Sequence, residues 1–92
     1  MSPRWTTVAG WGLYFYAAER HLRPHVDVRR GGEHATVDVV TGELLAGELP
    51  PRVLKAVRRV LAQHRDEALT AFNATLEHRF PGNLEAGGDD VQ

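Results

Sequence analysis

Ninety-two residues, of which 42% are hydrophobic, 25% charged and 8% aromatic, describe one globular domain with a modest core, too small to enclose a substrate deeply without a partner. The absence of cysteine excludes disulfides, thiol nucleophiles and cysteine-built zinc sites, so any metal must use histidine and carboxylate. The net charge of −1 hides an asymmetry, since residues 20–65 carry nine Arg or Lys against five acids while residues 66–92 carry one base against six acids.

A basic body with an acidic end suits an anionic partner, or two protomers meeting by complementary charge. No apolar run approaches the roughly 20 residues of a membrane helix, and the N-terminus lacks a secretory pattern, so the expectation is a cytoplasmic protein with no membrane contact.

The elements follow in chain order. "GLYFYAA" (12–18) alternates Leu13, Phe15 and Ala17 with Tyr14 and Tyr16 and reads as a strand. "TTVAGW" before it reads as a short partner strand, with Gly10 and Gly12 bracketing the turn. "HVDVRR" and "EHATVDVV" are two further alternating runs joined by Gly31-Gly32, a hairpin signal. A two-residue loop there places Arg30 opposite Glu33, Val28 opposite Ala35, Asp27 opposite Thr36, Val26 opposite Val37 and His25 opposite Asp38. All the apolar pairs then share one face, whereas a slip of one residue would mix valines with charges on both. "ELLAGEL" follows a second tight turn at Thr41-Gly42, which predicts Leu44 beside Val39 and Ala46 beside Val37.

From Pro51 the period changes. Val53, Val57, Val60, Leu61, His64, Ala68, Leu69, Phe72 and Leu76 recur at helical spacing, Pro51 suits a first turn, and Phe80-Pro81-Gly82 ends the run. A straight helix from Pro51 to Arg79 would be about 44 Å long, against about 17–20 Å for the strands. Either it bends near Gln63 to Asp66, or its second half overhangs onto another chain. The fold expected is α+β with two layers: an antiparallel meander of four or five strands with a long C-terminal helix, or a bent helix pair, on one face. The domain spans 1–84, and the glycine-rich acidic tail at 85–92 is expected to be disordered.

Residues in this order resemble a family of small bacterial proteins, domain-of-unknown-function family 4160, over roughly residues 8–85. The family's segment H-x-P-P-H-F-H-V matches His21, Pro24, His25 and Val28. Gly31 and Ala35 follow, then Thr41, Glu43, Leu45, Gly47, Leu49, Pro50 and Arg52 from T-x-E-x-L-x-G-x-L-P-x-R, then His64 and Glu67. The resemblance implies no defined activity. Members look like halves of small two-gene modules, which implies a protein partner in a toxin–antitoxin-like or regulatory pair. Two departures matter: Arg23 replaces the first proline, and Asp27 stands where most members have a second histidine. A metal accepts that exchange of imidazole for carboxylate more readily than a histidine-specific acid–base pair does.

Strand parity gathers Tyr14, Tyr16, His25, Asp27, Arg29, His34, Thr36 and Asp38 on the polar sheet face, the candidate functional surface. No cofactor is expected; if a divalent metal binds, the candidate ligands are His21, His25 and Asp27. For RNA, Tyr14 and Tyr16 offer stacking groups and Arg20, Arg23, Arg29 and Arg30 offer cations; His25 oriented by Asp38 would make a general base. Arg52, Lys55 and Arg59 form a helix stripe flanked by Arg58 and Arg65, which is usually a solvated face. Its charge opposes the helix dipole and favours an anion or acidic partner nearby. His64 reads as a partly buried core or interface residue, His78 as a helix C-terminal charge, and Trp5 and Trp11 as core or dimer contacts.

The function these features favour is a protein–protein interaction module without catalytic activity, paired with a protein partner or with its own copy. The alternative is an RNA-binding or RNA-cleaving toxin, or a metal-binding protein using the His/Asp face.

Overall fold

The computed structural model describes residues 4–16 and 23–76. Arg20, His21, His78, the expected helix stop at residues 80–82 and the tail at 85–92 lie outside them. Five strands, β1 (Arg4–Val8), β2 (Trp11–Tyr14), β3 (His25–Arg30), β4 (Glu33–Asp38) and β5 (Leu44–Gly47), form one antiparallel sheet in chain order. Two helices, α1 (Pro51–Gln63) and α2 (Arg65–Leu76), follow. The architecture is the expected α+β meander, in its five-stranded, bent-helix form.

The first hairpin turns at Ala9-Gly10, whose φ angles of 52° and 84° are the two left-handed conformations that a mirror-image turn matched to sheet twist requires. Gly12 therefore lies within β2 rather than in the turn. Between β3 and β4 the register is the one predicted: His25 opposes Asp38, Val26 Val37, Asp27 Thr36, Val28 Ala35, Arg29 His34 and Arg30 Glu33.

The β4–β5 register is a correction. Val37 opposes Leu44 and Thr36 opposes Ala46, with a bulge between them, so neither the Val39–Leu44 nor the Val37–Ala46 pair forms. The cause is Asp38. Its Oδ1 accepts hydrogen bonds from the amides of Val40 (2.7 Å) and Thr41 (2.8 Å), ending β4 two residues before the alternation does. The Gly42 amide then bonds back to the Asp38 carbonyl at 2.9 Å, closing a longer turn.

α1 begins at Pro51, whose ring presets the first-turn φ, and buries Val53, Val57 and Leu61 one turn apart on the sheet. At 13 residues α1 is about 20 Å long, which matches a strand. The chain then breaks at His64 (φ −127°, ψ 38°), although its amide still donates to the Val60 carbonyl and its carbonyl accepts from Ala68, both at 2.9 Å. One residue out of helical conformation re-aims the axis, so α2 returns to the core with Ala68, Ala71 and Phe72 instead of overhanging. Arg58 ties α1 to the sheet, its Nε donating to the Gly42 carbonyl at 2.7 Å.

The core closes around Leu13, Val26, Val28, Val37 and Val39 on the sheet and Val57, Leu61 and Phe72 on the helices. Both tryptophans belong to it. Trp5 meets Phe15 edge-to-face at 5.1 Å, and the Arg30 guanidinium lies 4.9 Å from the Trp11 ring centroid.

Candidate functional site

With both helices packed against the valine face, no element among the described residues covers the opposite face of the sheet. Tyr14 opposes Asp27 and Gly12 opposes Arg29, which sets β2 beside the middle of β3. The Tyr14 and Tyr16 rings lie nearly parallel (14°) with centroids 6.0 Å apart, and the Arg29 guanidinium sits 5.2 Å from the Tyr16 centroid. Gly12 makes the room: a Cβ there would stand 2.8 Å from Tyr14 Cε1, so the missing side chain leaves the space that the ring occupies. Thr36 donates its hydroxyl to Asp27 Oδ1 at 3.1 Å across β3 and β4. Arg29 and His34 are exposed, while the tyrosines, Asp27 and Thr36 are half-buried. Two aromatic faces, a guanidinium and a bridged carboxylate give this patch both stacking and charged recognition.

His25 and Asp38 leave that face, which corrects the expectation of an outward-pointing pair. The His25 ring packs edge-on against Phe72, centroids 5.3 Å apart, and its Nδ1–H donates to the Arg23 carbonyl at 2.8 Å. That bond leaves Nε2 as the acceptor of the neutral ring. Asp38 is only 2% exposed and is spent on the turn, with Oδ2 accepting from Arg23 Nε at 2.8 Å in addition to its two backbone bonds. The residues of the T-x-E segment join the same end of the sheet. Thr41 Oγ1 accepts from the Glu43 amide (3.1 Å), and Arg23 Nη2 reaches Glu43 Oε1 (3.4 Å). Arg23 thus spans two carboxylates. Asp38 is held by this lock and does not orient His25, so the proposed acid–base pair is not formed.

Burial alone pushes the Asp38 carboxyl upward, but the amides of Thr41 and Val40 and the Arg23 guanidinium outweigh it and hold the carboxyl below its ordinary 3.8. A depressed folded value stabilises the fold above pH 3.8, and that contribution is lost as pH falls through the folded value. Asp38→Asn is therefore expected to cost about 1–3 kcal/mol at neutral pH, and the difference from wild type should shrink on acidification. Urea unfolding at a series of pH values checks this; parallel stability curves would contradict it.

Of the candidate metal set, His21 lies outside the described residues, His25 is turned toward Phe72 and Asp27 is bridged to Thr36. Among the described residues no group of three His, Asp or Glu side chains is placed to hold a metal ion. An open groove of about 550 Å³ runs beside the start of α1, lined by Trp11, Arg30, Glu33, His34, Glu48, Leu49 and Pro50. Its charges are mixed, with Arg30 and Glu33 3.8 Å apart. The tyrosines, Asp27, Arg29, His34 and Thr36 lie together, as strand parity predicts. Phe72 and Glu43 join the histidine end through tertiary contacts that strand parity does not predict.

These features define a class: a small α+β domain with helices on one sheet face and an aromatic and charged patch on the other. The chain belongs to the family described as Domain of unknown function (DUF4160), which matches residues 10–73. No curated protein and no solved structure matches it significantly. No helix among the described residues is long and apolar enough to cross a membrane.

Proposed function

We propose that the protein is an interaction module without catalytic activity, acting in the cytoplasm within a two-gene, toxin–antitoxin-like or regulatory pair, and that its protein partner docks on the open sheet face around Tyr14, Tyr16 and Arg29. The observation that carries this reading is the stacked tyrosine pair with Arg29 against it. Tyr and Arg dominate interface hot spots, because they bury large areas while losing little rotamer freedom or keeping a bidentate charged head. A patch already stacked in the free protein loses less entropy on binding.

The test uses the purified protein and the product of the adjacent gene, with binding followed by calorimetry. Tyr14→Ala/Tyr16→Ala is expected to weaken the complex by about 2–4 kcal/mol, roughly 30-fold or more. The circular dichroism spectrum should keep its wild-type form, since neither ring belongs to the core cluster. No complex at micromolar concentrations, or an unaltered one with the double variant, removes the reading.

A second reading rests on the same stack, since single-stranded RNA bases pack on aromatic faces beside arginine. Oligonucleotide binding that the double variant abolishes, with no affinity for the neighbouring protein, would select it. A ribonuclease reading is weaker, as His25 and Asp38 are separately engaged.

A further inference from the structure

We propose that α1 carries a second docking surface, on the far side of the molecule from the open sheet face, for the phosphate backbones of duplex DNA. The helix contains Arg52, Lys55, Arg58 and Arg59 and no acid. Arg58 is drawn aside to the Gly42 carbonyl. The other three are exposed, and among the described residues none is in an ion pair. At about 100° per residue they fall within an arc of about 60°, opposite buried Val57 and Leu61, and stand about 4.5 and 6 Å apart along the axis. They form a straight cationic ridge, held rigid by the core beneath it.

An ordinary solvated helix face mixes signs, because i,i+4 pairs of opposite charge stabilise it and like charges repel by about 0.2–0.5 kcal/mol per pair. Here Arg52 with Lys55 and Lys55 with Arg59 are like-charged neighbours. The first turn carries no acid and the N-cap, Pro50, offers no side-chain cap. Cations near the positive pole of a helix are unfavourable by about 0.3–1 kcal/mol each. Glu48 precedes the helix and Asp66 and Glu67 follow the break at His64, with Glu67 3.6 Å from the His64 ring, so the acids stand beyond both ends of the ridge. A row of phosphates beside the ridge relieves the self-repulsion and the opposition to the dipole together.

The shape selects the polyanion. A convex helical ridge enters the B-form major groove, about 12 Å wide, and its cations then reach the phosphates of the groove walls. The A-form major groove is too deep and narrow to admit it.

The test is fluorescence anisotropy with a labelled mixed-sequence DNA duplex of about 20 base pairs, titrated with the full chain at several salt concentrations. Three phosphate contacts give a slope of log K against log salt of about −2.7, so affinity should fall about 40-fold between 50 and 200 mM salt. Arg52→Gln, Lys55→Gln or Arg59→Gln alone should reduce the slope by about 0.9, and the triple variant should abolish binding while keeping the wild-type circular dichroism. Because these residues are exposed and Gln is a good helix former, loss of fold does not mask the result. Binding by the triple variant equal to wild type, or none by wild type at low salt, overturns the proposal. Tighter binding to an RNA duplex or to polyglutamate also overturns it, in favour of that partner. The Tyr14→Ala/Tyr16→Ala variant should bind DNA normally, which separates this surface from the open face.

Discussion

Phe72→Ala is expected to remove about 3–5 kcal/mol of stability, a large share of the roughly 5–15 kcal/mol typical of a domain. Phe72 is almost completely buried, and the residues buried beside it on α2 are Ala68, Ala71, Ala74 and Thr75. It is therefore the one large ring among them that fastens the second helix to the core. The same ring supports His25, so its loss also frees the imidazole at the end of β3. Urea unfolding gives the magnitude, and amide exchange locates it: amides of residues 65–76 should lose more protection than those of β3 and β4. A cost below about 1 kcal/mol would mean that the small residues of α2 hold it unaided.

Gly47→Ala should be nearly as damaging, for a backbone reason. Gly47 has a φ of 75°, and a Cβ built there would lie 2.5 Å from the His34 carbonyl oxygen and 2.8 Å from Ala35 Cα. The left-handed conformation costs an L-residue about 1–2 kcal/mol, and separating β5 from β4 to relieve the contact should bring the total to about 2–4 kcal/mol. Gly31→Asn is the matched control, since Gly31 has a φ of 59° but a Cβ there meets nothing within 4 Å. That change should cost less than about 1 kcal/mol. Equal melting temperatures for the two variants would show that β5 gives way freely and that the close approach is unimportant.

The β3–β4 hairpin was legible in the sequence because valines alternate with polar residues on both sides of Gly31-Gly32, so only one register sorts them onto separate faces. The same logic failed across Thr41-Gly42. A side chain outcompeted the pattern there: Asp38 captures two amides of its own turn, and periodicity carries no trace of that bond. The break at His64 has neither proline nor glycine to announce it, and only the mismatch between helix and strand lengths pointed to it. Strand parity correctly set Tyr14, Asp27, Arg29 and Thr36 on one face. It could not show that Arg23 and Phe72 would draw Asp38 and His25 away, since those contacts join residues 15 and 47 positions apart.

The nearest-neighbour strand order has a bearing on how the chain acquires its shape. Each hairpin can zip as soon as its second strand is available, with little loop entropy to overcome, which favours rapid folding for a sheet protein. Synthesis delivers the strands first and the helices last, so the hydrophobic side of the young sheet stays wet until α2 has left the ribosome. During that interval the unpaired rims of β1 and β5 and the uncovered valines are the most adhesive parts of the nascent chain. A translation stop within α1 would leave a sticky half-protein, and its clearance would fall to chaperones and proteases.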